Sequence, residues 1–279
     1  MLIVQGDTSS ALGAALAGFD SAVPVAHVEA GLRTGDPASP WPEEAYRSTI
    51  DSQATLLFAP TDSAAANLAD EAVPGAVFVT GNSGIDALRA AERQLPPPSL
   101  HERARPCLLV TCHRRESWGD GLAGIASALR AIAESGLADI RFVLHPNAHV
   151  TATMRQALGG CRGIELVDPC SYAAMLELMR DADLVLSDSG GMQEEAPGLG
   201  VPLLVLRDKT ERSEGIASGN ARLVGTDPQQ IRSEVERLLC DPVALAAMAN
   251  RAFPYGDGYA APRIAGVIEE WLKSQRLRA

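Results

Sequence analysis

The chain lacks the features that mark a disulfide scaffold, a cysteine zinc site or a membrane protein. Its five cysteines form no C-x-x-C pair, which favours free thiols in a reducing cytoplasm over a disulfide frame or a zinc site. No apolar run approaches the length of a membrane span. The N-terminus shows no basic region followed by an apolar segment, so we read no signal peptide. We therefore expect a cytoplasmic protein with no membrane partner.

Aromatic residues and positive charges are also scarce. Phe, Trp and Tyr make up 4% of the residues although hydrophobic residues make up 46%, and an alanine-rich interior suits helices packed on sheets. The 24 Lys and Arg residues are outnumbered by 35 Asp and Glu residues, which gives a formal net charge of −11. This excess of acid argues against a nucleic-acid partner. An anionic ligand would need a local cluster of arginines.

Short apolar runs alternate with amphipathic stretches along the 279 residues, the pattern of parallel sheets with helical crossovers. Pro96-Pro97-Pro98 is a stiff break that we interpret as a linker. Six strands follow it, whereas four precede it, so we expect the first domain to be incomplete. The predicted strands are Leu2–Val4, Val23–Val28, Leu56–Ala59, Val77–Val79, Cys107–Val110, Ile140–Leu144, Ile164–Val167, Leu184–Leu186, Pro202–Leu206 and Ala221–Val224. Helices with defined first and last residues are predicted at Ala11–Phe19, Glu43–Gln53, Asp62–Asp70, Ser83–Gln94, Pro242–Arg251 and Pro262–Leu277.

The segment Asp188–Glu195 carries the strongest local signal. It follows the apolar run Leu184–Leu186 and opens a predicted helix. Ser189–Gly191 would offer backbone N–H groups to an anion at the helix start, and glycines let a phosphate approach the backbone closely. Glu195, one turn later, is placed to hold ribose hydroxyls. An ordinary tight turn before a capped helix is the alternative, and this segment alone does not decide between them.

Three segments of the first half each supply a carboxylate at a strand end or a helix start. Asp7 follows the first predicted strand, Glu29 follows the second, and Glu43 opens the next helix. Ligands of open parallel sheets bind at the carboxyl ends of strands, and acid/base work on a sugar needs such carboxylates. The alternatives are local: a helix cap at Asp7 or Thr8, a salt bridge from Glu29 to Arg33, and the helix dipole at Glu43.

Cationic side chains follow strands of the second half. His113, Arg114 and Arg115 come after the fifth predicted strand, a combination typical of anion binding; a surface cluster of charges is the alternative. His145 lies at the next strand end. Arg212 follows a later strand, where it would meet a phosphate.

Taken in order, these segments resemble the successive motifs of the non-hydrolysing UDP-N-acetylglucosamine 2-epimerases. The order and spacing of the set extend over nearly the whole chain, which makes the resemblance specific although each motif is modest. The motifs are Gly6-Asp7-Thr8, His27 to Gly35, Trp41-Pro42-Glu43-Glu44, His113 to Glu116, Asp188 to Pro197, Arg207 to Glu214 and Pro254 to Gly258.

The resemblance implies an α/β, GT-B-like fold of two Rossmann-like domains with a cleft between them. Residues 1–95 would form the N-terminal domain, residues 96–255 the UDP-binding domain, and residues 256–279 a helix that crosses back to the first domain. The family's Gly-Thr-Arg-Pro-Glu segment precedes the strand at which this chain starts, so we expect the first domain to be truncated. The resemblance also implies a homodimer.

The implied activity is the reversible conversion of UDP-N-acetylglucosamine to UDP-N-acetylmannosamine, with no metal or other cofactor. The family eliminates UDP, which gives a 2-acetamidoglucal intermediate, and then re-adds UDP to the other face. By matching motifs, Asp7, Glu29 and Glu43 carry acid/base roles and His113 contacts the diphosphate or its developing charge. Arg114 and His145 match residues of a second, activating substrate site. The implied substrate-binding residues are Ser189, Gly190, Gly191, Glu195 and Arg212.

The chain departs from the family pattern near the expected uracil site. Cys170 stands where the family has a glutamine, and Met175 stands where it has an aromatic residue. Two other hypotheses remain open on the sequence: a truncated, non-catalytic UDP-sugar-binding protein, and a GT-B glycosyltransferase. Three cleft carboxylates favour the epimerase over a retaining transferase, which has no need of them around C2.

Overall fold

The computed structural model describes residues 1–97, 103–114 and 117–277. Pro98 of the predicted linker and Arg115 and Glu116 of the predicted anion-binding motif lie outside these residues. The chain divides into two compact units. The first consists of Met1–Arg89 and Tyr255–Ala279, and the second of Ala90–Pro254. Each unit contains its own parallel sheet, so the predicted α/β class with two parallel-sheet domains is confirmed.

The first unit has a four-stranded sheet in the order β1-β2-β3-β4. Its strands are β1 (Leu2–Gln5), β2 (Val25–Val28), β3 (Leu56–Ala59) and β4 (Ala76–Val79). Its helices are α1 (Ser9–Asp20), α2 (Glu43–Asp51), α3 (Asp62–Asp70), α4 (Ser83–Glu92, whose last turn passes into the second unit) and α12 (Ala260–Arg276). Strands β2 and β3 are buried along their whole length, which explains why they read as continuous apolar runs. On one face, Ile264 of α12 packs with Val28 and Phe58.

The second unit has a six-stranded sheet in the order β10-β9-β8-β5-β6-β7. Its strands are β5 (Cys107–Thr111), β6 (Asp139–Val143), β7 (Ile164–Val167), β8 (Leu184–Ser187), β9 (Leu203–Val205) and β10 (Ala221–Leu223). Its helices are α5 (Asp120–Glu134), α6 (Ala148–Leu158), α7 (Tyr172–Asp181), α8 (Gly190–Leu199), α9 (Glu214–Ala217), α10 (Pro228–Cys240) and α11 (Pro242–Met248). The strand order reverses between β5 and β8, which is the point where open sheets of this kind bind ligands.

All ten predicted strands are present, and the differences lie at element ends. Strand β2 begins at Val25 rather than Val23, because Pro24 has no N–H to add to the ladder. Helix α11 ends at Met248 rather than Arg251, since the Met248 and Asn250 carbonyls accept hydrogen bonds from the buried Asn220 amide. In the described part of the chain, no helix has the length and apolar character to cross a bilayer.

Candidate active site

Glu29 occupies a strained backbone position at the end of β2. Its φ of +70° lies in the left-handed region, which costs a residue other than glycine about 1–3 kcal/mol. The turn is held because the N–H groups of Glu29 and Ala30 both donate to the Phe58 carbonyl, at 3.1 Å each. Phe58 is fully buried in β3, so the neighbouring strand fixes the direction of the Glu29 side chain. Such strain is concentrated at functional positions.

The Asp7 side chain is not needed to cap α1, because Thr8 is the N-cap of that helix. The Thr8 hydroxyl accepts a hydrogen bond from the Ala11 N–H at 3.1 Å. Asp7 instead forms an ion pair with Arg47, which is buried on α2. Arg47 also contacts Glu44, with 3.2 Å between Nη1 and Oε2. The alternative in which Asp7 caps the helix is therefore wrong, and the one with Thr8 is confirmed.

The two acidic residues at the start of α2 have different environments. Glu44 is buried, and its Oε1 accepts hydrogen bonds from Thr34 N at 2.9 Å and Gly35 N at 3.2 Å. Glu43 is half-buried, and no hydrogen-bond partner is found for it among the described residues. Glu44 thus holds the loop that follows β2, whereas Glu43 keeps its carboxylate for other interactions.

The carboxyl ends of β1 and β2 bring two of the three predicted carboxylate segments together. A Cβ added at Gly6 would lie 3.4 Å from Oε2 of Glu29. The Glu29 carboxylate therefore lies beside the residue that precedes Asp7. Glu43 is connected to Asp7 through its neighbour Glu44 and the shared Arg47.

A cluster of buried polar side chains, centred on His27 and Asp51, lies next to these segments, and no local sequence pattern indicates their pairing. His27 in β2 contacts Asp51 through Nδ1 at 2.6 Å and the Gly6 carbonyl through Nε2 at 3.0 Å. Asp51, at the end of α2, also accepts hydrogen bonds from Gly31 N at 3.1 Å and Arg33 Nη2 at 2.8 Å. Burial acts to raise the pKa of Asp51, but His27 and Arg33 together hold it below its usual value.

Arg33 does not make the salt bridge with Glu29 that was the local alternative to a catalytic role. Its guanidinium bonds to Asp51 and to Glu71, with Nε 2.7 Å from Glu71 Oε1. The sequence of α2 contains one pattern that indicates buried polar contacts on a shared helix face. Glu44, Arg47 and Asp51 follow the i, i+3, i+7 spacing of a single helix face, and all three are buried.

In the second unit, hydroxyl groups join the strand ends on either side of the reversal in strand order. Thr111 Oγ1 lies 2.7 Å from Ser187 Oγ, which in turn accepts a hydrogen bond from Ser189 N at 3.0 Å. Ser189 is the N-cap of α8, and its hydroxyl accepts from Met192 N at 3.5 Å. The first N–H groups of α8 lack partners within the helix, as in any helix, and are directed beyond its N-terminus.

Asp188 ties the loop after β5 to the loop after β8. Its Oδ2 accepts hydrogen bonds from the N–H groups of His113 and Arg114, both at 2.8 Å, and its Oδ1 lies 3.1 Å from His113 Nδ1. Burial acts to raise the pKa of Asp188, but the contacts with His113 and the backbone N–H groups hold it below its usual value. Asp188 is fully buried. Because these contacts favour its ionised form, it anchors the loop after β5 as a carboxylate.

His145 stacks on His113, with ring centroids 5.0 Å apart and planes inclined by 10°. Burial, and then the charge of His113, lower the pKa of His145. Arg114 Nη2 lies 3.8 Å from Glu211 Oε1. The structure therefore places His113, Arg114 and His145 side by side at the carboxyl ends of β5 and β6.

Arg212 lies against the first turn of α8. A Cβ added at Gly190 would lie 2.7 Å from the guanidinium carbon of Arg212, so glycine allows this close approach. The guanidinium is held by Glu211 and by Glu194, whose Oε1 lies 2.7 Å from Arg212 Nε. The arginine thus places its guanidinium at the helix N-terminus, where two carboxylates fix its orientation and offset its charge.

Glu195 has a partner that the sequence did not indicate. Tyr172, the first residue of α7, donates its hydroxyl hydrogen bond to Glu195 Oε1 at 2.9 Å. Burial raises the pKa of Glu195, although the Tyr172 hydrogen bond acts in the opposite direction. Near Tyr172, Cys170 is exposed and Met175 is half-buried.

Within the described residues, no group of three His, Cys, Asp or Glu side chains is arranged to hold a metal ion. The family model described as UDP-N-acetylglucosamine 2-epimerase matches residues 1–269. The chain belongs to this family.

Relatives and solved structures agree with this assignment. The UDP-N-acetylglucosamine 2-epimerase of Yersinia pestis is 46% identical over 277 residues, which cover 95% of this chain and 74% of that enzyme. The enzyme of Escherichia coli K12 is 43% identical over 291 residues, covering 99% of this chain and 76% of that enzyme. The crystal structure of the Neisseria meningitidis enzyme bound to UDP-GlcNAc is similar with a TM-score of 0.91 and 38% identity, over 96% of this chain and 76% of that one. The GT-B-like class predicted for the two sheets is thereby confirmed.

Proposed function

We propose that this chain is a UDP-N-acetylglucosamine 2-epimerase, which interconverts UDP-N-acetylglucosamine and UDP-N-acetylmannosamine. The observation that carries this conclusion is the family match over residues 1–269. Relatives more than 40% identical over almost the whole chain are named for this reaction. These findings favour the epimerase over the non-catalytic binder and the glycosyltransferase.

The chemistry explains why carboxylates are needed in the first unit. A C2 proton of a pyranose is not acidic while the anomeric carbon is neutral. As the C1–O bond breaks and its electron pair leaves with UDP, positive charge develops at C1 and the C2 proton becomes removable. A carboxylate takes this proton, and the C2–H electron pair forms the double bond between C1 and C2. Return of a proton to the opposite face of C2, with attack of UDP on C1, gives the epimer.

We assign the proton transfers to Asp7, Glu29 and Glu43, without ordering them among themselves. Glu29 is held rigidly at a strand end, and Asp7 is ion-paired with Arg47. The half-buried Glu43 lacks a partner within the described residues. Substrate and product are isomers, so the scheme requires no net oxidation or reduction.

We assign binding of the nucleotide to the second unit. The N-terminus of α8, with Ser189, Gly190 and Gly191, suits a diphosphate because its N–H groups and dipole favour an anion. Arg212 places a guanidinium beside the departing UDP, and His113 contacts the diphosphate or its developing charge. Glu195 would accept hydrogen bonds from the ribose hydroxyls. We further assign Arg114 and His145, which flank His113, to a second, activating substrate site.

The epimerisation should be measurable starting from either sugar nucleotide. The purified chain, supplied with either UDP-N-acetylglucosamine or UDP-N-acetylmannosamine, is expected to reach the same equilibrium mixture, followed by proton NMR of the anomeric signals. Transfer of the sugar to an acceptor without epimer formation would indicate a glycosyltransferase. UDP binding without any turnover would support the non-catalytic binder.

The raised pKa of Glu195 predicts a pH dependence of nucleotide binding. The ionised carboxylate accepts hydrogen bonds from the ribose, and protonation removes this capacity. Because burial raises the folded-state pKa above the ordinary glutamate value of about 4.3, affinity for UDP-N-acetylglucosamine should fall as the pH is lowered from neutrality toward that value. Calorimetry with this ligand measures the effect, since its diphosphate diester does not titrate in that range. In Glu195→Gln the dependence should be flattened; an equally steep profile in the variant would remove Glu195 from the explanation.

We also propose that the chain acts in the cytoplasm and as a homodimer. All five cysteines are free thiols, which suits a reducing compartment. Light scattering after size-exclusion chromatography would measure the mass of the assembly.

A further inference from the structure

His27 has an unusual hydrogen-bond environment for a histidine in the middle of a sheet. It is fully buried, and both of its ring nitrogens face oxygen atoms. Nδ1 lies 2.6 Å from Asp51 Oδ1, and Nε2 lies 3.0 Å from the Gly6 carbonyl oxygen. A carbonyl oxygen only accepts hydrogen bonds, so the Nε2 atom must be the donor to Gly6.

The state of Asp51 determines the proton on the other ring nitrogen. Its second oxygen, Oδ2, accepts hydrogen bonds from Gly31 N at 3.1 Å and from the Arg33 guanidinium at 2.8 Å. A carboxylate that faces a guanidinium and a backbone N–H is stabilised in its ionised form. An ionised Asp51 is acceptor-only, so Nδ1 must donate as well. A neutral imidazole has one N–H group, and only the imidazolium has two.

The pair of side chains connects the segments that carry two of the assigned acid/base residues. Nε2 of His27 fixes the carbonyl of the peptide that joins Gly6 to Asp7. Asp51 fixes the N–H of Gly31, two residues beyond Glu29. Glu29 therefore lies between two anchored points, His27 and Gly31, which add to the hydrogen bonds with Phe58 that hold its strained backbone conformation.

We propose that His27, held as a buried imidazolium by Asp51, is a positioning residue that sets the placement of the Asp7 and Glu29 carboxylates for proton transfer at C2. This inference rests on the proposed epimerase function. His27 itself touches neither substrate nor reacting atom in this account. It acts through the Gly6 carbonyl and, by way of Asp51, through the loop after β2. Because a displacement of about 1 Å at a reacting group can lower a rate by about 100-fold, the pair should affect turnover far more than binding.

Two variants test the role in catalysis. His27→Asn keeps a donor for Asp51 but loses the contact with Gly6, and Asp51→Asn removes the charge that holds the imidazolium. Both are expected to lower kcat by roughly 10- to 100-fold, while KM and the Kd for UDP change by less than about threefold. Unchanged kcat in a folded His27→Asn protein would overturn the proposal, as would a loss confined to KM.

Asp86→Asn is the control for general destabilisation of the same unit. Asp86 accepts hydrogen bonds from Ala260 N at 3.0 Å and Ala261 N at 2.8 Å at the start of α12, away from Asp7 and Glu29 in the chain. This variant should lose thermal stability but keep kcat within about twofold of the unmodified chain. An equal loss of kcat in Asp86→Asn would reduce His27 to a purely structural residue.

A spectroscopic measurement on the unmodified chain does not depend on activity or on the folding of a variant. The chain has five histidines, so nitrogen-15 NMR of labelled imidazoles can be assigned by the signal lost in His27→Asn or, if that protein does not fold, by through-bond correlation. Because both ring nitrogens are inferred to donate a hydrogen bond, both His27 nitrogens should show the imidazolium pattern. A neutral pattern with one unprotonated nitrogen would overturn the inference. Absence of epimerisation by the unmodified chain would instead contradict the proposed function.

Discussion

Replacing Glu29 with glutamine is expected to lower the turnover of UDP-N-acetylglucosamine by about 1,000-fold, within the range that a general acid or base contributes. Glutamine has nearly the same volume and retains an oxygen for the Asn82 amide, which lies 3.4 Å from Glu29 Oε1. It cannot accept or return a proton at C2. The Kd for UDP should change by less than about threefold, because the residues assigned to the nucleotide belong to the second unit. Steady-state kinetics and calorimetry measure the two quantities.

Glu269→Gln provides a matched control for this substitution. Glu269 belongs to the same unit and forms an exposed i, i+4 ion pair with Lys273 on α12. Exposed pairs contribute little to stability, so this variant should retain full turnover. A Glu29→Gln protein that keeps more than about a tenth of normal turnover would show that Glu29 is not an essential acid or base.

Replacing Asp188 with alanine should have the largest effect on the second unit. It removes the acceptor of two backbone N–H groups and the partner of the His113 ring. Each buried N–H left without an acceptor costs about 1–3 kcal/mol, so the loss of both bonds should lower the free energy of unfolding by about 2–6 kcal/mol. The loops that carry His113 and Ser189 would lose their connection, and UDP affinity should fall by at least about tenfold. Chemical denaturation and calorimetry give the two values.

Asp188→Asn separates the charge from the anchoring contact. Asparagine keeps one oxygen that can accept from His113 N and Arg114 N, so it should recover most of the stability lost in the alanine variant. UDP affinity should recover with it. Alanine and asparagine variants of equal stability would contradict the account of Asp188 as the link between the two loops.

The pKa of Asp188 also predicts how the stability of the second unit depends on pH. Its folded-state pKa is lowered by His113 and the two N–H groups in spite of burial. The corresponding stability is therefore present above the unfolded pKa of about 4 and is lost as the pH falls through the lower folded value.

The arrangement of strands could be predicted from the sequence because buried parallel strands appear as short apolar runs between amphipathic helices. The carboxyl ends of those runs then indicated where Asp7, Glu29, His113 and Ser189 would lie. The exact ends of elements such as α11 could not be predicted, since the Asn220 side chain that terminates it comes from a distant segment.

The contacts within the candidate site depended on tertiary structure. His27 and Asp51 are 24 residues apart, and Arg47 and Asp7 are 40 apart. The spacing of Glu44, Arg47 and Asp51 indicated a shared helix face, but it did not show that Glu44 would be buried against backbone N–H groups. The positive φ of Glu29 results from the hydrogen bonds to Phe58 on the neighbouring strand. These contacts form only when α2 and β3 pack against β1 and β2, so no single segment of the sequence predicts them.

The most direct test is the fate of the C2 hydrogen when the chain turns over UDP-N-acetylglucosamine in heavy water. If the C2 proton is removed by an enzyme carboxylate and replaced, deuterium should appear at C2 of the product, and the Glu29→Gln variant should lose both exchange and product formation by about 1,000-fold. Mass spectrometry and proton NMR of the isolated sugar nucleotide locate the label. Epimer that forms with full retention of the original C2 hydrogen would contradict proton transfer by the acidic residues of the first unit.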